Sequence, residues 1–255
     1  MDGFIAGAEA ALQASGEVLR AAFRGELQSD MKPDNTIVTE ADAAAEKAMR
    51  AVLTARFPEH RVTGEEFPPE GPEGARYEWV LDPIDGTIAF ACGKPTFTTL
   101  AALLEDGVPV LGVIDQPVSG ERWLGAKGRP TTFNGAPSRT SGVSVLSEAR
   151  FGTTDPALFP AEHAALFETL RDGARVVSYG GDAYQYGLLA SGHLDLIFES
   201  ALSRHDIAAL LPVVLGAGGA ACDADGQDWT GRALQIGERF SIRAMANSSL
   251  GHEAV

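Results

Sequence analysis

Cysteine is scarce in this chain: two residues among 255, Cys92 and Cys222, widely separated. Two distant thiols do not suggest a stapled scaffold, so the chain reads as a reduced protein held by its core, and with no leader pattern the expectation is a cytoplasmic one. No His/Cys cluster exists, which argues against a zinc enzyme, and His60, His163, His193 and His252 have no metal-ligand spacing. A Gly-x-Ser-x-Gly nucleophile is also missing, which argues against a serine hydrolase. Lys and Arg number 20 against 35 Asp and Glu, and the formal charge of −15 disfavours nucleic acid and anionic membrane surfaces as partners. No apolar run approaches the roughly 18 residues of a membrane span. Internal repeats and low-complexity segments are absent.

What the chain does have is ample core material. With 45% hydrophobic and 22% charged residues it carries no signature of disorder. Helical spacing of Phe4, Ile5, Ala8, Leu12, Leu19 and Phe23 predicts a helix over Asp2 to Leu27, and Ala44, Met49, Val52 and Leu53 predict a second over Glu40 to Phe57. Tyr77 to Leu81 reads as a buried strand, and Phe97 to Leu104, Val108 to Gln116 and Glu121 to Gly125 as an antiparallel meander. The second half alternates: strand Ala149 to Thr154, helix Pro156 to Leu170, strand Ala174 to Tyr179, helix Ala183 to Ser191, strand Leu194 to Glu199, then a helix from Asp206. Such alternation indicates α/β layering. The polar stretch Thr131 to Ser144, with a hairpin turn at Asn134-Gly135, divides the chain near Gly142 into an α+β half (1–142) and an α/β half (143–255).

Three acidic sites stand out. In Trp79-Val-Leu-Asp-Pro-Ile-Asp-Gly-Thr87 an apolar strand runs into two carboxylates fixed by a proline and a glycine. Pro83 is expected to stop the strand and open a type I turn, bringing Asp82 and Asp85 to one side and baring the amides of Gly86 and Thr87 for a phosphate oxygen. Gly64-Glu65-Glu66 forms an acidic loop shortly before that strand. Asp206 opens an almost wholly apolar helix that ends in Gly216-Ala-Gly-Gly219, where it serves either as an N-cap or as a metal ligand. Those glycines end a helix and do not link a strand to a helix start, so a dinucleotide fingerprint fails.

These elements, in this order and together with Thr39-Glu-Ala-Asp42 and Phe90, resemble the inositol monophosphatase family of magnesium-dependent phosphomonoesterases, over about Asp34 to Cys222. Val110-Leu-Gly-Val-Ile-Asp-Gln-Pro117, Gly120-Glu-Arg-Trp-Leu-Gly125 and Gly180-Gly-Asp-Ala-Tyr-Gln-Tyr186 look most like its histidinol-phosphatase branch. The resemblance implies an α/β/α/β/α sandwich with the site between the halves. It implies that Glu65, Asp82, Asp85, Asp206 and the Ile84 carbonyl bind two or three Mg²⁺ ions, an all-oxygen set that suits this cation. Thr87 and Asp42 are implied to orient the attacking water, with Glu65 beside them in the catalytic set; from the residues alone, Thr39-x-x-Asp42 also reads as a capping box. Gly86, Thr87, Gly181, Asp182, Glu199 and His205 are the implied phosphate and substrate contacts, Asp182 being equally well placed as an N-cap.

The substrate implied is a small phosphorylated metabolite, with histidinol phosphate first, inositol monophosphate second, and nucleotide or sugar phosphates after them. In-line attack of an activated water on phosphorus requires no covalent enzyme intermediate. The family is also compatible with a homodimer, although no segment identifies an interface. His205 stands where the family usually has another aromatic, Ser203-Arg204 replaces what looks like Lys-Pro, and Ile88, Ala89 and Cys92 depart from the pattern after the metal turn. A metal-binding regulatory protein on the same fold is the non-enzyme alternative, against which the intact Glu65, Asp82, Asp85, Thr87 and Asp206 speak.

Overall fold

Strand-forming residues concentrated in the middle of the chain and apolar helices on either side of them are assembled into alternating layers. The structure, a computed structural model, describes residues 1–25, 29–31 and 37–252, with side chains at 1–25 and 40–250. The first half runs α1 (Asp2–Ala22), β1 (Ser29–Met31), β2 (Ile37–Thr39), α2 (Glu40–Arg56), β3 (Arg61–Gly64), β4 (Tyr77–Asp85), α3 (Thr87–Ala91), β5 (Thr98–Glu105), β6 (Val108–Gln116), β7 (Glu121–Ala126), β8 (Arg129–Phe133) and β9 (Ala136–Pro137). The second runs β10 (Arg150–Thr153), α4 (Ala161–Gly173), β11 (Val176–Tyr179), α5 (Tyr184–Ala190), β12 (Leu196–Leu202), α6 (Arg204–Gly216), β13 (Ala220–Cys222), β14 (Phe240–Met245) and α7 (Ser249–His252). Strands β3 to β9 form one sheet in chain order, and a second sheet has the order β11-β10-β12-β14-β13.

Period-two alternation gives each central strand two apolar faces. Trp79, Leu81, Ala101 and Leu103 pack with Ala8, Leu12, Met49 and Leu53 of α1 and α2. Val80, Leu100, Ala102 and Leu104 join Ile207, Ala208, Leu210 and Leu211 of α6 in a separate cluster, on which Ile197, Ile242 and Ala244 of the second sheet also close. Outside that sheet, Phe151, Leu196 and Phe198 pack against Phe167 and Leu170 of α4. The layers are therefore α1/α2, seven strands, α5/α6, five strands and α4/α7, the sandwich expected from the sequence. No described helix is long and apolar enough to cross a membrane.

Several boundaries differ from the sequence reading. Helix α1 ends at Ala22, because Phe23 turns to extended backbone, and Leu27 lies outside the described residues. Pro160 takes the N-cap of α4, so the expected helix from Pro156 becomes a 3-10 turn, Pro156–Leu158, followed by a later helix start. Strand β12 is displaced toward Leu202, which puts Glu199 inside the strand and not at its end. Ala44 is exposed, while Glu46 and Arg50 take buried positions on α2. Asn134 and Gly135 both have positive φ, 48° and 80°, and join β8 to β9 as the expected hairpin turn.

Helix α6 lies very close to the large sheet. A Cβ at Gly112 would stand 2.1 Å from the Ala209 carbonyl oxygen, and one at Gly125 would stand 2.1 Å from that of Pro212. Thr131 Oγ1 also donates to the Val213 carbonyl at 2.7 Å. Both glycines are needed for closeness and not for φ. Gly112→Ala and Gly125→Ala are each expected to lower unfolding free energy by about 1–3 kcal/mol through overpacking, measured by urea denaturation.

Candidate metal and active site

Residues three apart on a regular strand face opposite sides, so a flat β4 could not present Asp82 and Asp85 together. Pairing continues past Pro83 to Asp85, which corrects the expected strand stop and type I turn. Asp82 is opposite Leu100 and Asp85 opposite Thr98, so three steps on β4 match two on β5. This one-residue bulge turns both carboxylates toward one side. Pro83 sits where the ladder is broken and loses no N–H bond there, and its carbonyl accepts from Thr99 Oγ1 at 2.9 Å. Gly86 follows with φ 83° as the N-cap of α3, and a Cβ there would meet Asp182 Oδ2 at 2.8 Å. Thr87 Oγ1 donates to the Ile84 carbonyl at 3.2 Å.

Glu65 follows β3 on a loop that α2 holds in place. Buried Glu46 accepts the Glu66 amide at 2.8 Å and Arg50 Nε at 2.7 Å, and Arg50 donates to the Phe67 carbonyl at 3.0 Å. A Cβ at Gly64 would strike Glu46 at 2.2 Å, which explains the glycine before the glutamates. Asp206 is not itself the N-cap of α6. Ser203 is, and Asp206 Oδ2 completes a capping box by accepting the Ser203 amide at 2.6 Å. The cap and the acidic cluster use the same side chain. The capping-box alternative for Asp42 rests on Thr39, whose side chain lies outside the described residues.

Among the described residues, two groups converge closely enough to hold a cation: Glu65, Asp82 and His205, and Asp82, Asp85 and Asp206. In each, one ligand atom per residue lies within 4.8 Å of the others. Asp82 belongs to both groups, is 2% exposed, and its Oδ1 is buried without a hydrogen-bond partner. Burial, then the charges of Glu65, Asp85, Asp206 and Asp42, push the Asp82 carboxyl far above the usual range. Burial and the charges of Asp182 and Asp206 raise Asp85 as well, although the Ala183 amide donates to its Oδ2 at 2.6 Å. Asp206 is raised chiefly by burial, opposed by His205, whose Nε2 lies 3.5 Å from Oδ1. Converging carboxylates with an orphaned oxygen and mutual repulsion fit one or more hard divalent cations.

A cavity of about 320 Å³ opens beside this cluster; its lining among the described residues includes Asp85, Thr154, Asp155, Asp182, Glu199 and Asp206, with no Lys or Arg. Asp182 reaches it on a loop whose three residues, Gly180, Gly181 and Asp182, all have positive φ. The loop directs Asp182 against Gly86 and not onto the helix start, since the N-cap of α5 is Ala183. Burial and the Asp206 charge raise Asp182 to about 6, opposed by the Lys94 charge. Glu199 accepts from the Thr154 amide and hydroxyl and, at 2.9 Å, from Tyr186 OH. Burial lifts it to about 7 despite these donors. Sequence reasoning gave no role to Thr154, Tyr186, Glu46 or Arg50; Tyr186 stood only within the motif at residues 180–186, and Glu46 and Arg50 left a signal as an acid and a base at i,i+4 within an apolar stripe.

The model of the inositol monophosphatase family matches residues 1–248. The chain is 42% identical over 261 residues to a bifunctional phosphatase, IMPL2, of Arabidopsis thaliana chloroplasts, covering all of this chain and 75% of that one. It is 36% identical over 235 residues to a histidinol-phosphatase of Chlorobaculum parvum, covering 91% and 87%. The structure superposes on an inositol monophosphatase of Zymomonas mobilis with a TM-score of 0.86 and 42% identity, over 99% of this chain and 96% of that one. The match over almost the whole chain and the acidic cluster agree: this chain belongs to the inositol monophosphatase family of metal-dependent phosphatases.

Proposed function

We propose that the protein hydrolyses histidinol phosphate, with Mg²⁺ held by Glu65, Asp82, Asp85, Asp206 and the Ile84 carbonyl. The observation that carries the substrate is the acidic cavity beside the cluster, where Asp182 and Glu199 would face the leaving alcohol and the described lining residues include no Lys or Arg. Histidinol offers an ammonium and an imidazole, and both match these carboxylates. The histidinol-phosphatase relative supports the same reading. Inositol monophosphate is the second reading, because the carboxylates can also accept from hydroxyls and the Zymomonas mobilis neighbour is an inositol monophosphatase.

Mg²⁺ held by these carboxylates would supply charge neutralisation for the phosphate dianion and the developing alkoxide. The chain's own groups do the rest. Gly86 and Thr87, at the opening of α3, supply amides to a phosphate oxygen, while Thr87 and Asp42 orient the attacking water. Asp182 and Glu199 hold the alcohol side in line with phosphorus.

Phosphate release from histidinol phosphate, inositol 1-phosphate, adenosine 3′,5′-bisphosphate and fructose 1,6-bisphosphate, with and without Mg²⁺, tests the proposal. Magnesium-dependent preference for histidinol phosphate is the expected result, and preference for another ester overturns the substrate. Asp85→Asn is expected to lower turnover at least about a thousandfold in a folded protein, checked by kinetics and circular dichroism. For Glu199→Gln, KM for histidinol phosphate should rise about tenfold or more, with a smaller change for inositol 1-phosphate.

The raised carboxyls also set a pH dependence. A folded-state pKa above the unfolded value contributes stability that is complete below the unfolded value and is lost as pH rises through the folded one. Asp182, at about 6, and Glu199, at about 7, place that loss between mild acidity and neutrality. Without metal, Tm should fall from about pH 5 to about pH 8, and the Tm gain from Mg²⁺ should grow over the same interval. A Mg²⁺ gain that is flat across a calorimetric pH series would remove the electrostatic account.

A further inference from the structure

Glu78 lies on β4 four residues before Asp82, on the same face as Val80 and Asp82 by strand alternation. Its Oε1 accepts from Thr63 Oγ1 at 2.5 Å and from Arg204 Nη1 at 2.9 Å, and its Oε2 accepts from Arg204 Nη2 at 2.7 Å. The two charged side chains are only 12% and 10% exposed. Thr63 lies two residues before Glu65, and Arg204 two residues before Asp206. One carboxylate therefore ties together β3, β4 and α6, the three elements that carry the converging acids.

Arg204 Nε is buried and has no hydrogen-bond partner, so its fork onto Glu78 is what directs the guanidinium. Burial alone would raise the Glu78 carboxyl, but the Arg204 and Thr63 hydrogen bonds hold it below the usual range, and it is charged at neutral pH. A buried ion pair is by itself a weak source of stability, whereas its bidentate geometry fixes the distance and angle between the backbones that bear it. That restraint matters at this place because the carboxylates beyond it repel one another and would move apart.

We propose that Glu78 is a positioning residue: through Thr63 and Arg204 it sets the separation of Glu65, Asp82 and Asp206, and so the affinity of the cluster for a divalent cation. The proposal rests on the reading that these carboxylates hold the metal. It assigns no contact with substrate to Glu78.

Calorimetric titration of Mg²⁺ into chelator-treated protein tests this without using activity. Wild type is compared with Glu78→Gln, Thr63→Val, Arg204→Lys and the double variant Glu78→Gln/Arg204→Gln, with Tm measured for each metal-free protein. Glu78→Gln is expected to weaken Mg²⁺ binding about tenfold, and each single-arm variant about threefold. The double variant should be no weaker than Glu78→Gln alone, since the bracket is lost once. Wild-type affinity in the variants overturns the proposal, even if their Tm falls, because the pair would then be structural only. Should Glu78→Gln fail to fold, Thr63→Val and Arg204→Lys decide in the same way. If wild type itself binds no Mg²⁺, the metal reading falls and takes this one with it, whereas normal wild-type binding with unaffected variants removes this one alone.

Discussion

Like charges gathered in a poorly solvated pocket repel one another, and the whole arrangement around β4 answers to that repulsion. At an effective dielectric of about 20, two unit charges about 5 Å apart oppose each other by about 3 kcal/mol, and several such pairs meet at Asp82. Fixed donors take one oxygen of particular carboxylates: the Ala183 amide holds Asp85 Oδ2 and the Ser203 amide holds Asp206 Oδ2. Glu46 and Arg50 clasp the loop that carries Glu65. Asp85 and Asp206 are thus each aimed by a hydrogen bond that does not neutralise them, and the excess negative charge remains available to a cation.

Helix α6 is where this local demand meets the global packing. Its N-terminus carries Asp206, its flank lies against Gly112 and Gly125 of the large sheet, and the smaller sheet covers it from the other direction. A helix fixed on both sides cannot swing outward to relieve the charge at its end. Tight core packing and electrostatic preorganisation are consequently two aspects of one placement.

Much of this was legible in the sequence. Layering followed from alternating apolar segments, and Asp-Pro-Ile-Asp-Gly-Thr located the acids at a backbone irregularity. The kind of irregularity was not legible: a proline within a strand pattern signals either a stop or a bulge, and only the partner strand β5, supplying Thr98 opposite Asp85, decides between them. Asp206 presented a choice between cap and ligand: in the structure its Oδ2 belongs to the capping box of α6, while its Oδ1 lies 3.5 Å from His205 Nε2. Thr154 gave no signal, and Tyr186 stood only as the end of the motif at residues 180–186 with no role, because their importance depends on Glu199 arriving from another strand. Glu78 and Arg204, 126 positions apart, are likewise ordinary charges until the fold joins them.

The cavity beside Asp85 joins walls of different descent. Asp85 comes from the seven-stranded sheet, whereas Glu199 belongs to the five-stranded sheet, Thr154 follows one of its strands, and the Tyr186 hydroxyl behind them comes from the helix that covers it. Under the proposed function, the reactive end and the recognition end therefore have separate foundations. On that reading, substitutions in β12 or the segment after β10 can reshape the chamber for a new alcohol while the acids of β4 keep their supports, so changes of diet in such a lineage need not pass through loss of chemistry.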